Sequence, residues 1–184
     1  MRIVGGKYRG RRLDAPKNQA IRPTTDRNRE TLFNILQHGW CTVLQSRVLD
    51  LFAGTGALGL EALSRGASHV HFMEKNRQAV ALINRNIEIL GVEAQTSLQL
   101  RDATRPGIAP ESEKFDLVFA DPPYGKQLGE RAALALVDNG WLASNGLLVL
   151  EEQKSKLPPQ IEGFDLRDRR DLGETAIGLF QFVA

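Results

Sequence analysis

Residues 48–63 read VLDLFAGTGALGLEAL. A short apolar run, interrupted by Asp50, leads into Gly54, Gly56 and Gly59, and good helix formers follow. The spacing is G-x-G-x-x-G, set where a strand should turn directly into a helix. Glycines there let the backbone turn tightly and approach a ligand closely. The helix N-terminus behind them offers N–H groups without intrahelical partners. Twenty residues past Gly54 stands Glu74, where the next strand should end. An acid at that place can accept hydrogen bonds from ribose hydroxyls. The pattern points to an adenosine-containing cofactor.

Working outward, strands are expected at 47–52, 69–74, 97–102, 115–120 and 146–151, with helices at about 57–65, 76–90 and 127–139. Such alternation implies a parallel α/β sheet with right-handed crossovers and helices on both faces. The last segments, FDLRDRRDL and TAIGLFQFV around Gly173, read as two strands with no helix between them. An antiparallel hairpin closing the sheet is the simplest account.

Two acids narrow the cofactor. Asp50 precedes Gly54 inside the first strand, where a pyrophosphate would be repelled and a cationic amine welcomed. Asp102, followed by Ala103, is expected at the end of the third strand, placed to accept from an adenine amine. Three acids at successive strand ends (Asp50, Glu74, Asp102) fit S-adenosylmethionine better than a dinucleotide.

Residues 121–126 read DPPYGK. Proline lacks an N–H and fixes φ, so Pro122 and Pro123 force a stiff exit from the fourth strand. In an open α/β sheet, ligands bind beyond the carboxyl ends of the strands at the switch in strand order. The carboxylate of Asp121 and the carbonyl of Pro122 can then grip the two hydrogens of a planar amino group, and Tyr124 offers a ring to stack on its plane. Those bonds favour a pyramidal nitrogen with a freer lone pair. The target is a nucleobase amine or an amide.

The chain has 184 residues and a net charge of +2. Residues 1–29 hold nine Arg or Lys against Asp14 and Asp26, a net +7, so the remainder carries −5. A basic arm on a mildly acidic body points to a polyanion. Residues 1–15 are expected to form a hairpin turning at Gly5-Gly6. After Pro23, a helix capped by Thr24 or Thr25 should run to Gly39, with Leu32, Ile35 and Leu36 on its core face and Arg27 and Arg29 opposite. Lys7, Arg9, Arg11, Arg12, Arg27 and Arg29 are candidate polyanion contacts, Tyr8 a candidate base-stacking ring, and Lys126 a candidate phosphate contact beside the target.

Cys41 is the lone cysteine, which excludes an internal disulfide and suits a reducing compartment. No stretch resembles a secretory signal or a membrane span. The protein is expected to be cytoplasmic, monomeric and free of membrane contact. His69 and His71 share a strand face without a third ligand nearby, so no metal site is expected, and Cys41 lacks partners for nucleophilic catalysis.

DLFAGTGALGLEALSRGA together with DPPYGK resembles the class I methyltransferases that modify amino groups. GGKYRGRRL and RPTTDRNRETLFNIL resemble, more narrowly, the RsmD family of bacterial 16S ribosomal RNA guanine-N2 methyltransferases. The resemblance spans nearly the whole chain. It implies a Rossmann-like fold with a mostly parallel seven-stranded sheet, an antiparallel C-terminal hairpin and a small N-terminal hairpin–helix extension. Residues 1–40 would serve as RNA contact and cofactor lid, and 41–184 as the catalytic domain. It implies cofactor contacts at Asp50, Gly54, Gly56, Glu74 and Asp102, with Phe52, Ala53, Lys75 and Ala103 beside them, and packing of Arg22, Pro23, Thr24 and Thr25 over the methionyl end. Asp121 to Tyr124 would hold the base, S-adenosylhomocysteine would be the product, and the substrate would be a 30S subunit or assembly intermediate.

Two other readings stay open. An adenine-N6 methyltransferase would use the same pocket, although a sequence-reading DNA enzyme usually needs a recognition domain for which this chain has no room. An idle RNA-binding assembly factor would not need an intact DPPY.

Overall fold

The computed structural model describes residues 1–16, 26–37, 39, 43–111 and 113–183. In chain order they form α1 (Asp26–Gln37), β1 (Arg47–Leu51), α2 (Ala57–Ser64), β2 (His69–Glu74), α3 (Arg77–Leu90), β3 (Thr96–Leu100), β4 (Phe115–Ala120), α4 (Leu128–Asp138), β5 (Leu142–Gln153), β6 (Phe164–Leu172) and β7 (Thr175–Phe182). The seven strands make one sheet in the order β3-β2-β1-β4-β5-β7-β6. Strands β1 to β5 pair in parallel, and β7 runs antiparallel to both β5 and β6. This is the Rossmann-like, mostly parallel seven-stranded sheet with an antiparallel C-terminal hairpin that the resemblance implied.

Side-chain alternation divides the core in two. Val48, Phe72, Leu117, Phe119 and Val149 face α1, α2 and α3. Leu49, Leu51, Val118, Leu148 and Leu150 face α4. Six of the eight β7 residues are buried, which requires neighbours on both sides, whereas β6 is mostly exposed. The apolar strand is therefore the inserted one, and the charged strand forms the edge. Ion pairs Arg170–Asp168 and Arg169–Asp171 dress that edge and discourage pairing with another chain.

Three boundaries differ from expectation. β3 ends at Leu100, so Asp102 lies two residues beyond the ladder. β5 begins at Leu142 rather than 146, because it continues through a register shift near Asn145 (φ 62°) and Gly146. Asn145 and Gly146 make an irregularity within the strand. The N-terminal turn spans Gly6 to Gly10, with both glycines at positive φ. A Cβ on Gly6 would meet the Ser64 carbonyl oxygen at 1.8 Å, so only glycine fits there. The helix caps Thr24 and Thr25, and Cys41, lie outside the described residues.

The arm is not a loose tail. Ile3 and Leu13 are buried in the same core as Leu32, Phe33 and Leu36 of α1. Glu61 of α2, itself 0% exposed, accepts the N–H groups of Val4 and Gly5 at 2.8 Å each and pairs with Arg65 at 2.8 Å. Three charge-assisted bonds offset the cost of burying that carboxylate. Asn86 of α3 accepts from Asp14 N–H at 2.7 Å and donates to the carbonyl of Thr55 at 3.0 Å, joining the arm to the glycine loop.

The third glycine of the motif packs α2 against the sheet. A Cβ on Gly59 would stand 2.4 Å from the Phe72 ring and 2.7 Å from Val70. Gly59→Ala is expected to destabilise the fold by about 1–3 kcal/mol through overpacking. Chemical denaturation measures it, and an unchanged midpoint would contradict the close approach. No helix among the described residues is long and apolar enough to cross a membrane.

Candidate active site

Strand order reverses between β1, which continues to β2 on one side, and β4 on the other. At the carboxyl ends of these strands lies a cavity of 480 Å³. It brings together Asp50, the glycine loop and Glu74 on one side, and Asp121, Pro122, Pro123 and Tyr124 on the other.

Asp50 is 2% exposed and accepts the Gly59 N–H at 2.9 Å. Burial pushes its carboxyl well above the usual carboxylate range. The Gly59 N–H opposes that rise, and the nearby charges of Asp121 and Glu74 add to it. A cation placed here would relieve the strain of ionising Asp50.

Glu74 is 9% exposed at the tip of β2. Its oxygens accept the N–H of Gly54 at 2.9 Å and of Asn76 at 2.8 Å, tying the glycine loop to the start of α3. Each oxygen keeps a second lone pair, enough for two hydroxyls. Phe52 and Ala53 line the cavity with Gly54. Phe52 adopts φ 56°, a left-handed conformation rare for a bulky residue, where the chain swings from β1 into the loop. Gly56 caps α2 at φ 76° and so aims the first free N–H groups of that helix.

The Asp102 carboxylate is spent partly on its own loop. Oδ1 accepts the N–H and hydroxyl of Thr104 at 2.9 and 2.8 Å, and Lys75 stands 3.8 Å from Oδ2. The Thr104 N–H, foremost, holds this carboxyl below its ordinary value. Ala103 and Lys75 line the cavity, and Asp102 is not among its lining residues.

The β4 ladder ends at Ala120, opposite Leu51 and Leu150, and the prolines begin two residues later. Asp121 is half-buried, Pro122 buried and Pro123 exposed. Tyr124 lines the cavity and donates its hydroxyl to Glu151 Oε1 at 2.8 Å. Lys126 is exposed and lines a neighbouring cleft, outside this cavity.

The basic residues separate into two groups. Arg9, Arg12 and Arg27 are exposed, as is Lys7, whose ammonium sits 5.1 Å from the Tyr8 ring centroid. Tyr8 is half-buried against the core, so its ring serves the arm's own packing. Arg11 donates to the Ile89 carbonyl at 2.6 Å, docking the arm on α3. Arg29 corrects the sequence reading: it is 0% exposed, and its guanidinium bonds the Arg2 carbonyl at 2.6 Å and Asp26 at 2.8 Å. It anchors the arm from within the core, so it is not a surface contact. Arg22, Pro23, Thr24 and Thr25 lie outside the described residues.

Asn76, Arg101, Leu58 and Met73 also line the cavity and were not anticipated. His69 and His71 meet over Ser97, at 3.0 and 2.8 Å, with His71 edge-on to Phe115 and Trp141. They sit toward the start of β2, whereas the cavity lies at the strand's carboxyl end.

With this geometry in view, the relatives are informative. The family profile described as "Conserved hypothetical protein 95" matches residues 1–181. Ribosomal RNA small subunit methyltransferase D of Escherichia coli K12 is 37% identical over 182 residues, spanning 98% of this chain and 89% of that protein. Its namesake in Haemophilus influenzae is 35% identical over 183 residues, spanning 98% and 93%. A putative methyltransferase of Escherichia coli, known as a solved structure, matches with a TM-score of 0.84 at 35% identity, covering 99% of this chain and 97% of that one. With a profile match over nearly its full length and relatives at this level of identity, the chain belongs to the RsmD family of methyltransferases.

Proposed function

We propose that the protein transfers a methyl group from S-adenosylmethionine to the exocyclic N2 amine of a guanine in 16S ribosomal RNA, within an assembled or partly assembled 30S particle in the cytoplasm. The observation that carries this reading is the shared cavity: strand-end acids suited to a cationic nucleoside face a rigid acceptor pair suited to an amino group. The names of the relatives support the ribosomal substrate. At 480 Å³ the cavity lies within the range of small-molecule sites, roughly 300–1,000 Å³.

The donor set fits S-adenosylmethionine. Asp50 would hold the α-ammonium, Glu74 the ribose hydroxyls, and Ala103 with Asp102 the adenine end. The N–H groups at the start of α2 would receive the carboxylate. Arg22 to Thr25 would cover the methionyl end, so residues 1–40 act as lid and RNA contact on the catalytic part, 41–184. When bound, S-adenosylmethionine supplies a methyl group already made electrophilic by its sulfonium.

The protein's own task is positioning. Asp121 and the Pro122 carbonyl accept both amine hydrogens and free the nitrogen lone pair, while Tyr124 holds the ring plane. Such restraint supplies near-attack geometry. The charge developing on nitrogen is met by the fixed Asp121 carboxylate. Exposed Lys7, Arg9, Arg12, Arg27 and Lys126 would neutralise phosphates and make binding salt-dependent. The enzyme acts as a monomer and relies on the particle to present an unstacked base.

Labelled S-adenosylmethionine incubated with 30S particles lacking the modification tests this. N2-methylguanosine is the expected labelled nucleoside. N6-methyladenosine would transfer the case to the adenine reading, and an absence of label would leave only a binding role.

A further inference from the structure

We propose that Glu151 and Glu152, consecutive at the end of β5, are positioning residues that lock the target-base loop from the two faces of the sheet. The proposal rests on the assignment of Asp121–Tyr124 to the target base. Successive side chains on a strand point to opposite faces. Leu147 and Val149 belong to the core under α1–α3, and Leu148 and Leu150 to the core under α4. Glu151 therefore continues the first face and Glu152 the second. Their partners on β7 agree: Glu151 lies opposite Ile177 of the first core, and Glu152 opposite Ala176 of the second.

Each acid takes one residue of the loop. The Tyr124 hydroxyl donates to Glu151 Oε1 at 2.8 Å. The next residue, Gly125, donates its N–H to Glu152 Oε1 at 3.0 Å. Glu152 is 4% exposed and also accepts the Gln153 N–H at 2.7 Å, so its carboxylate is fixed in turn. The prolines stiffen only the start of the loop. Its far end is Gly125 at φ 76°, a backbone free to pivot unless something holds it. With Glu152 on the Gly125 N–H and Glu151 on the phenol, the long axis of the Tyr124 ring is held at both ends. A stacking ring must keep that direction before the base arrives if the amine is to meet the methyl donor in line. Neither acid lines the Asp50–Glu74 side of the cavity, so their effect should fall on the base and not on the cofactor.

The test uses the full chain with 30S particles lacking the modification. Glu151→Ala is expected to lower kcat about tenfold, the worth of one hydrogen bond to a charged group. The dissociation constant for S-adenosylmethionine and the melting midpoint should stay at wild-type values. Glu151→Gln keeps an acceptor oxygen and should recover most of the rate. Tyr124→Phe should match Glu151→Ala, and the double variant should be no slower than either, since all three lack the same bond. Glu152→Ala should also lower kcat in the folded protein. A wild-type kcat in either alanine variant, a Gln variant as slow as Ala, or additive losses in the double would overturn the proposal. Failure of the underlying assignment is distinguishable, because Asp121→Ala would then turn over like wild type, and failure of the enzymatic reading would leave no label even from the wild-type protein.

Discussion

Asp121→Ala is expected to reduce methyl transfer by roughly 10²- to 10³-fold, the cost of losing a preorganised electrostatic partner of the transition state. Cofactor binding should survive, because Asp50 and Glu74 remain in place on the other side of the cavity. Asp121 is one of the two carboxylates whose charge raises the buried Asp50 carboxyl. Removing it eases the ionisation of Asp50. Steady-state kinetics with calorimetry separates the two effects. Unchanged turnover would refute the amino-group clamp. A collapse of cofactor affinity would move Asp121 to the other half of the cavity.

The second large effect concerns Asp50. Its folded carboxyl titrates above its unfolded value, so its contribution to stability is complete below the unfolded pKa and is lost as pH rises through the folded one. Near neutral pH the ligand-free protein therefore carries a strained acid. Asp50→Asn keeps an oxygen for the Gly59 N–H and removes the charge. The variant should melt higher than wild type at neutral pH, and the difference should vanish at acid pH. S-adenosylmethionine should bind about 10²- to 10³-fold more weakly, as when one partner of a buried charge pair is removed. In the wild type, affinity should rise with pH through the folded pKa, whereas the variant should show no such rise. Equal affinity in the two proteins would remove Asp50 from the cofactor's amine.

The parts of this site that could be read from the sequence are those whose geometry is local. The glycine loop is contiguous, and its neighbours fix strand, turn and helix within sixteen residues. DPPY carries its own stiffness. The sequence misleads where residue type and period conflict. Arg29 lies three residues before Leu32 and seven before Leu36, on the same helical stripe, and its charge alone suggested the solvent side. The acids of β5 are open to the same reading as those ending β1, β2 and β4: LLVLEE ends a buried strand on the same rim. The place of β7 between β5 and β6 was also open to inference, because TAIGLF has no polar face to expose. Asp102 could not be placed by pattern, since its own turn with Thr104 ends the ladder early. The union of Asn86 with Asp14 and Thr55 depends on contacts between residues far apart in the chain, which spacing does not encode.

The most direct measurement is a crystal structure of the protein with S-adenosylhomocysteine. The α-ammonium should lie at about 3 Å, hydrogen-bond distance, from the Asp50 carboxylate, the ribose hydroxyls should meet Glu74, and the sulfur should face Asp121 and Tyr124. A ligand seated elsewhere, or one whose sulfur turns away from residues 121–124, would contradict the account.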